Sequence, residues 1–178
     1  KNIAVKESSR EMAIEAIELC KKELAKNTAH FQSHLLIAES YYILGEISRS
    51  KTQKLGQEEV SYSDSYSEMV SWYKLCAKTY QKAIDITGGL GGDVFIDMAK
   101  CYRLSGALDQ ATASAERAEE LDKTNPRIWM EIGQIYEQKG DRRASLKAYE
   151  SFLLVYPNAP NKKEVENRIN RLKSMIEE

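Results

Sequence analysis

The 178 residues carry 26 Lys and Arg against 27 Asp and Glu, with 42% hydrophobic and 30% charged residues, the balance of a folded chain rather than a disordered one. A net charge of −1 offers no global attraction to nucleic acid or to an anionic membrane, and no run of about 18 apolar residues exists that could insert in a bilayer. Three cysteines, Cys20, Cys76 and Cys101, stand far apart in no C-x-x-C pair and read as small buried helix residues. The chain starts at Lys1 rather than Met, which reads as a processed or truncated product.

Strand signals are nearly absent and apolar residues recur at steps of three and four, so the expected class is all-α. Residues 10–26, "REMAIEAIELCKKELAK", form an amphipathic helix. A second helix covers roughly 31–45, "FQSHLLIAESYYILG". After it comes an irregular stretch, 46–71, in which Ile47 and Leu55 could carry that helix outward. Tyr66, Met69, Tyr73, Ala77 and Tyr80 keep helical spacing into the next helix, which Ser65-x-x-Glu68 would start as a capping box. The stretch is expected to be a protruding helical hairpin, or a loop between extended helices, and its tyrosines suit a contact surface. Ser61-x-x-Asp64 and Ser65-x-x-Glu68 could instead be acceptors for acid-directed kinases.

Four glycines follow, Gly88, Gly89, Gly91 and Gly92, in "ITGGLGGDVF". A phosphate-binding loop needs a Lys-Ser/Thr pair after its glycines, and a dinucleotide fingerprint needs a strand before them. Neither is present, so the cluster reads as a joint between helices and a hinge. Beyond it, "NP" at 125–126 places an N-cap Asn before an N1 proline, Gly140 and Asp141 end one helix and cap the next, and "NKKE" at 161–164 has the form of a capping box. Val165, Ile169, Leu172 and Ile176 make one apolar stripe on a charged last helix, as a solvating cap would.

The spacing is periodic. Tyr102 to Tyr136, Ala99 to Gly133, Gly106 to Gly140 and Ala118 to Phe152 are each 34 residues apart, the signature of a helix-turn-helix repeat. In "PRIWMEIGQIYEQKGDRRASLKAYESFLLVYP", Trp129, Ile132, Gly133, Tyr136, Gly140, Ser145, Tyr149 and Pro157 stand at the positions of the tetratricopeptide repeat (TPR), which the sequence resembles. Phe152 departs from the family's small residue there. A second copy at 92–125 carries Phe95, Met98, Ala99, Tyr102, Gly106, Ala111, Ala115 and Ala118, with Lys123 in place of the closing proline. A third is split: Tyr41 and Gly45 match Tyr102 and Gly106, while Cys76, Tyr80 and Ala83 match Ala111, Ala115 and Ala118. Gly106 to Ala111 is 5 residues and Gly45 to Cys76 is 31, an insertion of 26.

The resemblance implies an α-solenoid of antiparallel helix pairs over 1–178, about three repeats with flanking helices. Its parts would be a partial repeat at 10–27, the split repeat at 31–87, repeats at 92–125 and 126–159, and a capping helix at 161–178. It also implies a protein-interaction scaffold whose first helices line a concave groove. The groove positions are Leu35, Glu39, Tyr42 and Ile43, then Ile96, Lys100, Arg103 and Leu104, then Met130, Gln134, Glu137 and Gln138. Helical geometry puts each set of four on one side of its helix. The family's carboxylate clamp would need Lys where Leu35 and Ile96 stand and Asn where Glu39 and Lys100 stand, so that mode is not expected. The apolar Leu35, Ile96 and Met130 beside Lys100 and Arg103 suit a peptide or amphipathic helix of another protein, with an acidic edge. Self-assembly into a homo-oligomer, or a regulatory module cut from a larger enzyme or sensor, are the alternatives.

No catalytic residue, cofactor site or metal site is expected. His30 and His34 have the i, i+4 spacing of a helix metal pair, but no third ligand is placed beside them and no nucleophile accompanies them.

Overall fold

The structure, a computed structural model, describes residues 2–55 and 60–177, with side chains from residue 7 onward and excluding that of residue 60. Among the described residues there are eight helices and no strand. By backbone contacts the chain divides into two units, Lys1–Leu90 with Leu104–Gly106, and Gly91–Arg103 with Ala107–Glu178.

The first unit holds α1 (Asn2–Lys26), α2 (Phe31–Thr52) and α3 (Val60–Thr87). On α1, Ala13, Ile17, Cys20 and Leu24 fall at steps of four, three and four, one stripe of a 3.6-residue helix. They pack on Ile37, Leu44, Tyr41 and Trp72. The turn is closed by Asn27, whose Oδ1 accepts from the Ala29 N–H at 3.1 Å. Cys20, Cys76 and Cys101 are all buried on helices.

The insertion is built by lengthening two helices rather than by adding one. α2 runs on to Thr52, short of Leu55, and α3 already begins at Val60. Ser65 is therefore inside α3 and buried, not its cap, and Glu68 pairs with Arg10 at 3.0 Å. Burial also removes Ser65 as a kinase acceptor, whereas Ser61 is exposed. Residues 56–59, part of the expected loop, lie outside the described residues.

Gly45 also departs from expectation. Its likeness to Gly106 and Gly140 suggests a turn, but it lies inside α2, buried against the Tyr73 ring, where a Cβ would meet Cε1 at 2.6 Å. Gly133 stands in the same relation to Tyr149, at 2.5 Å. In repeat terms Ala38 matches Gly133, and Tyr80 matches Tyr149. Against the split repeat expected at 31–87, α2 and α3 thus make the glycine–tyrosine contact seven residues further along α2 and seven residues earlier on α3. Two buried hydroxyls of α2 bond to their own helix: Thr52 donates to the Ser48 carbonyl at 2.9 Å and Ser40 to the Leu36 carbonyl at 2.8 Å.

The second unit holds α4 (Gly92–Leu104) up to Arg103, α5 (Leu108–Leu121), α6 (Pro126–Lys139), α7 (Arg142–Val155) and α8 (Lys162–Glu177). Asn125 accepts from the Arg127 N–H at 3.0 Å with Pro126 at the first turn. Gly140 is left-handed at φ 79° and Asp141 accepts from the Ala144 N–H at 3.0 Å. These caps satisfy helix-end donors and hold the turn tight. Small residues Ala99, Ala111, Ala115, Ala118 and Ala148 let α4–α7 approach around Ile96, Ile128, Ile132 and Ile135. Phe152 fits where a small residue is usual because the cap receives it: it packs with Val165, Ile169 and Leu172 of α8. At the start of α8, Glu164 accepts from Arg168 at 3.1 Å.

The four-glycine segment joins α3 to α4. Gly88 and Gly89 take positive φ, 72° and 147°, whereas Gly91 and Gly92 do not. Gly92 is needed for space instead, since a Cβ there would lie 3.2 Å from the Ala118 carbonyl oxygen.

Candidate functional site

Four of the twelve sequence-derived positions converge in the second unit. Ile96 and Lys100 of α4 and Met130 and Gln134 of α6 line one open cleft of about 350 Å³. Phe152 and Tyr156 at the end of α7, 6.2 Å apart edge to face, and Asn161 at the start of α8 complete it. Ile96 is 3% exposed and belongs to the core, so it forms the floor of the cleft and not a free side chain on its surface. Met130 is half-buried and packs against the α7–α8 core.

The cleft wall is an ion-pair lattice. Asp97, Arg127 and Glu131 also line it. Arg127 donates from Nη1 to Asp93 Oδ1 at 3.0 Å and from Nη2 to Asp97. Asn125 adds a second donor to Asp93 at 2.9 Å. Burial raises the Asp97 carboxyl above its ordinary range, against the pull of Arg127 and Lys100 in the other direction.

Arg103, expected to face a partner, is turned into the unit. Its Nε and Nη2 grip both oxygens of Glu131, the latter at 3.2 Å, with side chains 14% and 8% exposed. The fork-to-fork geometry is that of a buried guanidinium–carboxylate pair. Its charge is matched within the fold. Glu137 is likewise engaged from α7 and α8: Tyr149 Oη donates to it at 2.8 Å, Arg168 at 3.2 Å and Arg171 at 2.6 Å. Burial, then the bond to Glu137, pushes the Tyr149 phenol up to about 12. Leu104 ends α4 half-buried, and Gln138 is exposed on α6.

The other four positions lie on α2 of the first unit. Glu39 and Ile43 are exposed, while Leu35 and Tyr42 are half-buried, with the Tyr42 ring 6.0 Å from that of Tyr73. Among the described residues no three or more His, Cys, Asp or Glu are grouped as a metal site. His30 Nδ1 pairs with Ser33 Oγ at 2.8 Å, and His34 Nε2 lies 3.4 Å from the Thr28 carbonyl. No helix among the described residues is long and apolar enough to cross a membrane.

Asp97, Arg127, Glu131, Tyr156 and Asn161 are not marked by the repeat pattern, and Phe152 is marked only as a departure from it. Glu131 does carry a signal: an acid beside Ile128 and Ile132 on a buried face needs a cation, but only the fold shows which one.

Residues 126–158 match the tetratricopeptide repeat. No curated protein is a significant match to the chain. Among solved structures, a TPR protein of the thermophile Thermus thermophilus is similar with a TM-score of 0.61 at 17% identity, over 91% of this chain and 73% of that one. The Yersinia enterocolitica type III secretion chaperone SycD, solved with a peptide of the translocator YopD, gives 0.53 at 16% identity, over 67% and 98%. YrrB, a TPR protein with an unusual peptide-binding site, gives 0.52 at 16% identity, over 90% and 85%. With the 34-residue period and the all-helical architecture, the chain carries a tetratricopeptide repeat at 126–158 within a fold like that of solved TPR proteins.

Proposed function

We propose that the chain is a non-catalytic protein-interaction scaffold, and that the cleft of the second unit receives a peptide or amphipathic helix from another protein. The observation that carries this reading is the meeting of Ile96, Lys100, Met130 and Gln134, four of the groove positions that the resemblance implies, in one cleft. Its apolar part, Ile96, Met130, Phe152 and Tyr156, suits a side-chain anchor. Gln134 and Asn161 can exchange hydrogen bonds with a bound main chain. The YopD peptide held by SycD and the peptide site of YrrB, both on this fold, support the same kind of use here.

Of the two cations expected to draw an acidic edge, Arg103 is committed to Glu131. Recognition therefore leans on shape and amide contacts more than on charge. The cleft walls are tied by the Arg127 and Arg103 pairs, so the ordering cost of binding falls mainly on the partner.

The test is affinity capture on the intact chain, identification of bound proteins by mass spectrometry, and calorimetry with the purified partner. Met130→Glu is expected to weaken binding about tenfold or more, about 1.4 kcal/mol, measured in protein whose amide NMR spectrum retains the native fold. Unchanged affinity in that variant would sink the reading. Light scattering over a concentration series identifies the case in which the captured partner is the chain itself.

A further inference from the structure

Each repeat of the chain has a ring at one position of its first helix, and in one repeat that ring is small. In the 126–158 repeat the position is Trp129, whose Nε1 donates to the Lys123 carbonyl six residues earlier at 2.8 Å. Its ring packs against both core clusters of the second unit. In the 92–125 repeat the position is Phe95, again packed against the core. In the first unit it is His34, whose Nε2 reaches for the Thr28 carbonyl, also six residues earlier, at 3.4 Å. The backbone arrangement is retained while the ring has shrunk from an indole to an imidazole.

An open cleft lies beside this smaller ring. His34, Leu24, Thr28, Lys82, Asp85 and Ile86 border an open cleft of about 410 Å³. That lies within the span of about 300–1,000 Å³ usual for ligand clefts. Leu24 and the exposed Ile86 supply an apolar wall from α1 and α3. The Thr28 carbonyl has two lone pairs, and the long approach of His34 occupies at most one. Lys82 stands at the rim, where an ammonium can lie over an aromatic face. Asp85 beside it is already held by Gln81 Nε2 at 2.8 Å.

We infer that this cleft is a docking site for a tryptophan side chain presented by a partner protein, which restores the ring that Trp129 supplies in the chain's own last repeat. The indole lies between Leu24 and Ile86, its N–H directed to the Thr28 carbonyl and its face to Lys82. The site uses residues of the first unit alone, so it stands or falls separately from the cleft of Ile96 and Met130.

The probe is N-acetyl-tryptophanamide, titrated into the isotopically labelled full chain and followed by amide NMR. Saturable shifts are expected at Leu24, Thr28, His34 and residues 82–86, with a dissociation constant on the order of millimolar for so small a ligand. His34→Trp should fill the cleft from within and weaken the probe at least tenfold. Ile86→Glu, at an exposed position that leaves the core untouched, should do the same with a native amide spectrum, which guards against misfolding of the first variant. The inference is overturned if the probe produces no shifts at these residues, if Ile86→Glu leaves its affinity unchanged, or if N-acetyl-leucinamide binds as well.

Discussion

Gly133 lies beneath the ring of Tyr149 so closely that a methyl group there would sit 2.5 Å from Cε1. Neither partner can give way easily. Tyr149 is fully buried and its hydroxyl is tied to Glu137. Gly133→Ala should therefore destabilise the fold by about 1–3 kcal/mol, the usual cost of overpacking. Gly45→Ala, against the buried and Glu46-bonded Tyr73, should cost a similar amount. Urea unfolding checks both: the midpoints fall while the slopes stay unchanged.

Arg103 and Lys100 differ in kind despite their shared charge. Arg103→Ala strands the carboxylate of Glu131 in a position 8% exposed, and removing one member of such a pair costs about 3–5 kcal/mol. Arg103→Glu should be worse, because it sets two acids together. Lys100→Gln, at a half-buried position of the cleft, should cost less than Arg103→Ala, because Arg127 still holds Asp97. Thermal scans of the three variants separate the two roles, and a melting temperature for Arg103→Ala equal to the parent would disprove the structural one.

The glycines of the α3–α4 joint should respond oppositely. Gly89 sits at φ 147° with open space around it, so an alanine is penalised by backbone strain alone, about 1–3 kcal/mol. Gly91 has an ordinary φ and open space where a methyl group would lie. Gly91→Ala should be neutral or stabilising by about 0.4–1 kcal/mol, through the unfolded chain. Chemical denaturation of the two single variants gives the sign of each.

Alkaline pH should loosen the second unit through Tyr149. Its phenol titrates near 10.0 when unfolded and about 12 when folded, so the folded state holds the proton that the unfolded state has lost. Stability from this group is whole below pH 10 and falls as pH climbs through the folded value. Tyrosinate absorbance against pH, with urea midpoints alongside, should show the loss, and Tyr149→Phe should reduce its slope.

The repeat and its punctuation are legible in the sequence because caps and periods are local. Asn125, Pro126, Gly140 and Asp141 act on neighbours within four residues, and Val165, Ile169 and Leu172 form a stripe that any helical wheel reveals. Gly45 reads as a turn because a glycine that ends a helix and a glycine that admits a neighbouring ring look alike in one dimension. Ser65 and Glu68 imitate a capping box since the same spacing arises inside any helix. The cleft is legible in part. Its helical positions follow the period, but the pairing of Arg103 with Glu131 and the entry of Tyr156 and Asn161 depend on packing that no spacing encodes.

The displaced Gly45–Tyr73 contact constrains how the long hairpin of the first unit can vary. A step of seven residues returns a helix to within about 20° of its starting face. Moving the contact by seven on each helix therefore preserves which sides meet, while a change of one residue would swing every later side chain by about 100°. Its length is thus quantised: the arm should still close if shortened by one heptad from both helices together, whereas an unpaired deletion of two residues would turn the side chains beyond it by about 160°.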